Sequence, residues 1–120
     1  MQKITAILIL ALGSGAAPGL QAEGDVFSKL IRPAFAKNCF KCHGEGPKVK
    51  GKVNLLELKS AAELAKKPEL LGKIIEALDS GEMPPEKAPP LAAETRRGLV
   101  VELKKLLHQY RYLKLFQEFE

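Results

Sequence analysis

CFKCH, residues 39–43, contains both cysteines of the 120-residue chain and one of its two histidines. In the pattern Cys-x-x-Cys-His, two thiols three positions apart can each add to one vinyl group of a haem. The histidine that follows comes under the ring, where its imidazole nitrogen can bind the iron. These residues therefore predict one covalently attached haem c, held through Cys39 and Cys42, with His43 as the proximal iron ligand.

Three other roles for the two cysteines fit the sequence less well. A structural zinc site needs four ligands, and the remaining histidine, His108, lies far along the chain in a predicted helix. A disulfide between Cys39 and Cys42 would close too short a loop to stabilise the fold appreciably. A thioredoxin-like dithiol needs a βαβ setting, which no β-branched or alternating run of this chain predicts. The redox dithiol is the strongest of these alternatives to haem attachment.

The first 22 residues have the pattern of an export signal. Lys3 precedes an apolar run at residues 4–12, and the small residue Ala22 suits a cleavage position. The run is about half of the ~20 residues that a membrane-spanning helix needs, so no anchor is expected after signal cleavage. Because c-type haems are attached outside the cytoplasmic membrane, both patterns predict a soluble protein that is periplasmic or otherwise exported. Residues 23–120 are expected to form one small domain.

Apolar residues at helical spacing, interrupted by prolines and glycines, predict an all-α domain. Pro33 falls inside the first apolar stripe and predicts a kink or a new helix start there. The glycine- and proline-rich segments 44–51 and 81–90 predict loops. A long amphipathic helix is expected from residue 91 to the C-terminus, and its first half should pack against the N-terminal helix. The expected starts of the two intervening helices are Ser60, which opens a capping box with Glu63, and Pro68.

Met83 is the candidate for the second axial position of the iron. It is the only methionine that remains once the signal peptide is removed, and it lies in the proline-rich loop. Pro84 disfavours helical backbone at Met83, so the thioether is expected on a stiff, extended segment that can face His43. The alternative is that Met83 fills an apolar gap, as methionines often do. His108 is a weaker candidate, because it lies well inside the last predicted helix.

Three stretches together are similar to a cytochrome c domain: IRPAFAKNCFKCHG at 31–44, residues 51–55, and Met83-Pro84-Pro85 before a last helix. More narrowly, the chain resembles the planctomycete type, which has Arg-Pro ahead of Cys-x-x-Cys-His-Gly and a Met-Pro-Pro loop. The resemblance covers about residues 26–107 and implies a class I-like fold around one covalent haem, followed by a helical extension at about 108–120. It also implies thioether bonds at Cys39 and Cys42, with His43 and Met83 as axial ligands.

Three features depart from the family pattern. Lys52 stands where a second glycine is usual, and Asn54 stands where a basic residue is common. The last predicted helix also lacks the usual tryptophan.

An iron with both axial positions filled has no site for oxygen or substrate, so the predicted function is a one-electron carrier and not an enzyme. One alternative is a haem-based sensor or peroxidase-like enzyme in which Met83 dissociates. Another is the haem subunit of an exported oxidoreductase complex. The loop 81–90 contains no histidine or arginine of the kind that a peroxidase uses.

The charge pattern and the C-terminal tail bear on partners. The formal net charge is +5, and lysines are frequent around the attachment motif. They form either an ordinary solvated surface or a basic ring that attracts an acidic redox partner, whereas nucleic acid is not expected as a partner. The aromatic tail, which carries Tyr112, Leu113, Leu115, Phe116 and Phe119, should either fold over its own domain or dock a second copy or a partner subunit. The lysines around the attachment motif, which would form the basic ring, are Lys37, Lys41, Lys48, Lys50 and Lys52.

Overall fold

The computed structural model describes Gly13 and residues 25–46 and 49–119. Every regular element within these residues is helical, which confirms the predicted all-α class. The predicted signal peptide, residues 1–22, lies outside the described residues apart from Gly13. Among the described helices, none combines the length and the apolar character needed to cross a membrane. In chain order the elements are a π-helical turn, Phe27–Ile31; α1, Arg32–Asn38; a 3₁₀ turn, Lys50–Lys52; α2, Ala61–Ala65; α3, Pro68–Asp79; and α4, Ala93–Glu118.

The first helix changes its hydrogen bonding just before Pro33. The Arg32 amide donates to the Phe27 carbonyl, five residues earlier, and regular α-helix begins at Arg32. Proline has no amide hydrogen and its ring crowds the carbonyl four residues earlier, so the preceding turn is wound wider. The sequence predicts a kink or a new helix start near Pro33; the structure shows a π-helical turn that continues directly into α1.

The two middle helices begin where the sequence predicts. Ser60 Oγ accepts a hydrogen bond from the Glu63 amide at 3.1 Å, and Glu63 Oε2 accepts one from the Lys59 amide at 2.7 Å. These bonds satisfy two amide donors at the open end of α2. Pro68 occupies the first turn of α3, where its missing amide hydrogen costs nothing. After α3, Gly81 adopts a left-handed conformation with φ 79°, which starts the proline-rich loop.

The core lies between α3, α4 and the N-terminal helix. α3 and α4 form the most extensive helix pair, in which Leu71, Leu99 and Leu103 are fully buried. The first half of α4 also packs against the π-helical turn, as predicted, and a Cβ at Gly98 would lie 3.6 Å from Leu30. The buried apolar side chains are Phe27, Ile31, Ala34, Phe35, Phe40, Leu55, Leu58, Ala61, Leu64, Leu71, Ile75, Leu78, Leu99, Val100, Leu103 and Leu106.

The end of α4 extends beyond this core. Leu106 is the last buried residue of the helix, and every residue from 111 to 119 is exposed. Of the two expectations for the aromatic tail, folding over its own domain is therefore not met.

Candidate haem-binding site

An apolar cavity of about 310 Å³ lies between α3, the attachment motif and the proline-rich loop. This volume is at the lower end of the range for ligand-binding cavities. All four residues predicted to hold the haem line it, although Met83 and His43 are far apart in the sequence. His108 is exposed on α4 and is not among the lining residues. The cavity is lined by Phe35, Asn38, Cys39, Cys42, His43, Lys50, Gly51, Val53, Leu55, Leu70, Lys73, Ile74, Ala77, Leu78, Met83, Pro84, Pro85 and Ala88.

A single turn after α1 presents both thiols and the imidazole to this cavity. The Cys42 and His43 amides donate to the Cys39 carbonyl at 3.2 Å and 2.9 Å. The Cys39 amide in turn donates to the Phe35 carbonyl at 2.8 Å, so the turn is anchored on the last turn of α1. Both cysteines are free, partly buried thiols. Thiols in this state are what covalent attachment to two vinyl groups requires.

The environment of the cysteines does not favour the redox-dithiol alternative. Burial raises the pKa of the Cys39 thiol from 9.0 to about 11, and the neighbouring Cys42 adds to the shift. A reactive dithiol attacks through a thiolate, which needs a lowered pKa near neutral pH. For the zinc alternative, the described residues contain no group of three or more His, Cys, Asp or Glu side chains placed to hold a metal ion.

The imidazole of His43 is held in one orientation by residues 50–55. His43 Nδ1 lies 3.0 Å from the Lys50 carbonyl oxygen. Because a carbonyl can only accept a hydrogen bond, Nδ1 carries the hydrogen and Nε2 keeps its lone pair. That tautomer is the one in which Nε2 can bind a metal. The Leu55 amide donates to the His43 carbonyl at 2.7 Å, so the same segment also holds the backbone.

The two residues in this segment that depart from the family pattern have distinct backbone roles. Asn54 Oδ1 accepts a hydrogen bond from the Leu56 amide at 3.1 Å and so shapes the turn that faces the motif. Lys52 has φ 55°, in the left-handed region where glycine is favoured over residues with a Cβ.

The segment packs so closely that a Cβ at Gly44 would lie 2.6 Å from the Leu56 Cβ. A glycine is therefore required directly after His43.

The loop that carries Met83 is tied by hydrogen bonds to two helices. The Met83 amide donates to the Ala77 carbonyl on α3 at 3.0 Å. Arg96, on α4, donates through Nη1 to the Met83 carbonyl at 2.8 Å and to the Leu78 carbonyl at 2.6 Å. One guanidinium therefore joins the end of α3, the start of the loop and α4.

Arg96, Asn38 and Lys73 belong to the site although the sequence argument did not identify them. Asn38 Nδ2 donates to the Pro89 carbonyl at 3.3 Å and so ties the far end of the loop to α1. Arg96 and Asn38 act on backbone carbonyls, and such contacts leave no pattern in the sequence. Lys73 could have been found, because it lies three residues after Leu70 on the same face of α3.

Positive charge lies around the cavity. Among the described residues that line the cavity, Lys50 and Lys73 carry a positive charge and none has a carboxylate. Lys48, a member of the predicted basic ring, lies outside the described residues. The exposed lysines of the ring that the structure describes are Lys37, Lys41, Lys50 and Lys52.

The donor set and the walls of the cavity fit haem c. Two free thiols stand beside an imidazole with a free Nε2, and a thioether lines the same cavity. The other walls are mainly aliphatic, as a porphyrin requires, and Lys50 and Lys73 offer cations to the two carboxylates that a haem carries.

Comparison with known proteins gives one match. Residues 39–87 match the family model described as planctomycete cytochrome C, a span from the attachment motif to the Met83 loop. Neither the curated proteins nor the solved structures gave a significant match to the chain. The segment that builds most of the cavity is therefore similar to planctomycete cytochrome C, and a cytochrome c family implies covalently attached haem c and electron transfer through it.

Proposed function

We propose that this protein is an exported mono-haem c-type cytochrome that carries one electron at a time between redox proteins. In this proposal Cys39 and Cys42 hold the haem, and His43 and Met83 bind its iron. The observation that carries the proposal is that Met83 lines the same cavity as the Cys-x-x-Cys-His turn. The predicted export signal supports the location, since haem c is attached outside the cytoplasmic membrane.

The residues of the chain have three tasks in this function. Haem c, when bound, supplies an iron that alternates between the ferric and ferrous states. Thioether ligation from Met83 favours the ferrous state relative to a second histidine, so it raises the reduction potential. The Lys50 carbonyl keeps His43 in the ligating tautomer. The aliphatic walls exclude water, which limits the reorganisation that accompanies a change of charge.

The hydrogen bonds of the loop favour a carrier over a sensor or a peroxidase-like enzyme. A sensor needs Met83 to leave the iron readily, whereas the Met83 backbone is bonded through both its amide and its carbonyl. Among the described residues that line the cavity, the only histidine is His43, which serves as the proximal ligand in this proposal, and none is an arginine, so no lining side chain remains to activate peroxide. A subunit of an exported complex would use the same chemistry, and would differ only in the lifetime of its partner contact.

Two measurements on protein matured in the periplasm test the site. The intact mass should equal the chain from Glu23 plus one haem, and acid–acetone should leave the colour on the polypeptide. Met83→Ala should abolish the weak sulfur-to-iron band of the oxidised protein and lower the potential, whereas Met83→His should restore low-spin iron at a still lower potential. Glu82→Ala, at the exposed neighbouring position, should keep the band. Colourless protein, or an unchanged band in Met83→Ala, would show that the proposal is wrong.

We further propose that the basic ring attracts an acidic redox partner. Exposed charges act on encounter rates through long-range attraction, which salt screens over about 10 Å at 0.1 M. Changing Lys37, Lys41 and Lys52 to Glu should slow electron exchange with an acidic cytochrome or cupredoxin at low ionic strength. The control changes three exposed lysines that do not line the cavity and makes the same change in net charge: Lys59, Lys66 and Lys114. Equal rates for the two triple variants across the salt range would exclude a directed basic ring.

A further inference from the structure

The second half of α4 carries an exposed apolar face that belongs to no part of the described core. Tyr112, Leu115 and Phe116 are 54–57% exposed and Phe119 is 88% exposed. The rings of Tyr112 and Phe116 pack against each other with centroids 4.7 Å apart. These four side chains, here called the outer stripe, are unusually large for a solvated helix face.

The position of the outer stripe around the helix explains why its own domain cannot cover it. An α-helix turns by about 100° per residue. The buried residues Leu99, Leu103 and Leu106 therefore lie roughly 180° away from the centre of the outer stripe. Val101, which is 50% exposed, falls on the stripe side of the helix. The apolar face changes sides along α4, so the stripe points away from the core.

The charges beside the stripe indicate what covers it. Arg111 and Glu118 are seven residues apart, so both lie on the same flank of the stripe. If two copies of the helix pair in antiparallel orientation about a two-fold axis, Arg111 of each copy comes opposite Glu118 of the other. An anionic membrane surface would instead require basic residues along both flanks.

We propose that the protein forms a two-fold dimer in which the outer stripes of two α4 helices pack antiparallel. Each of the four large, exposed side chains can bury roughly 100 Å², so the stripe would bury roughly 400 Å² per copy. A total of roughly 800 Å² is typical of a weak, transient interface, so the dimer should dissociate at concentrations of roughly 100 µM. No residue of α4 lines the haem cavity, so both cavities stay free in the dimer.

Sedimentation of the haem-containing protein between about 1 µM and about 1 mM tests the dimer. The wild type should shift from monomer to dimer over this range, and Phe116→Glu should stay monomeric. Lys114→Glu, on the opposite side of the tail, should dimerise like the wild type. All three proteins should have the same haem spectrum and the same helix content, since the exposed tail supports no buried residue.

Exchanging the charges of Arg111 and Glu118 distinguishes the antiparallel dimer from any other contact that covers the outer stripe. Arg111→Glu alone and Glu118→Arg alone should each weaken the dimer about tenfold, because each places two like charges opposite each other. The double variant should return to the wild-type affinity. A wild type that is monomeric at about 1 mM would overturn the proposal. A dimer that Phe116→Glu leaves intact would also overturn it. Equal dimer affinities for the single and double charge variants would exclude the antiparallel arrangement. Monomers that instead bind anionic vesicles through the stripe would assign it to a membrane surface. Loss of haem colour in the wild type would count against the proposed function and not against the dimer.

Discussion

Arg96 binds the backbone of Met83, and replacing Arg96 should have a measurable effect on how often the Met83 loop opens. Its guanidinium donates to the Leu78 and Met83 carbonyls at 2.6 Å and 2.8 Å. A hydrogen bond from a charged donor contributes about 1.5–3 kcal/mol. Of these two bonds, only the one to the Met83 carbonyl would break if the loop moved away from the cavity, because Leu78 belongs to α3, so Arg96→Leu should favour opening by about 2 kcal/mol. At 1.4 kcal/mol per factor of ten, the open population should rise about 30-fold.

Carbon monoxide binding to the reduced protein measures this population, given Met83 as the iron ligand. The gas can bind only while Met83 is away from the iron, so its binding rate follows the open fraction. We expect Arg96→Leu to bind about 30-fold faster than the wild type. Arg96→Lys should show a smaller increase, because an ammonium can still reach one carbonyl. The neighbouring Arg97, which is exposed and bonds to neither carbonyl, gives the matched control Arg97→Leu. A wild-type rate in Arg96→Leu, or an equal increase in Arg97→Leu, would refute the reasoning.

Two further predictions concern the backbone of the attachment region. Gly44→Ala should destabilise the protein by about 2 kcal/mol and lower its Tm by roughly 10 °C, because the new Cβ would meet the Leu56 Cβ, which cannot rotate away. Gly72→Ala on α3 is the control, since a Cβ there meets nothing within 4 Å and alanine favours helix; a similar Tm for the two variants would contradict the steric argument. Lys52→Gly should raise stability by up to about 1 kcal/mol in a denaturant titration, because it removes a Cβ from a left-handed residue. The same change at Lys59, which is not left-handed, should lower stability, and a loss at both positions would show that Lys52 is not strained.

The parts of the site that sequence predicts well are those whose chemistry is local. The two thiols and the imidazole follow one another within a single turn, so their spacing alone places them on one wall of the cavity. The helix starts at Ser60 and Pro68 follow from the side chains of those residues. Met83 could be proposed as a ligand because two prolines follow it, which predicts a loop, and because the chain has only one other methionine, Met1.

The contacts that hold Met83 in place could not be predicted in the same way. Arg96 lies on an amphipathic helix with several other basic residues, and nothing in its spacing distinguishes it from the exposed Arg97. Its role depends on where α4 crosses the end of α3, which is set by the packing of Leu71, Leu99 and Leu103. The tail is a different case: helical spacing places the outer stripe on the side of α4 opposite the buried Leu99 and Leu103, so its exposure could have been predicted.

The parts of the chain that complete the cavity lie on both sides of the family match. The match ends at residue 87, yet Ala88 lines the cavity and Arg96 bonds to the loop from α4. On the other side, Phe35 lines the cavity and Asn38 holds the far end of the loop, both ahead of residue 39. The matched segment supplies the ligand candidates, whereas Arg96 and Asn38, which lie on the flanking helices, bind the backbone of the loop that carries Met83. Changes at Arg96 or Asn38 should therefore alter how firmly the Met83 loop is held, even when every residue of the matched segment stays the same.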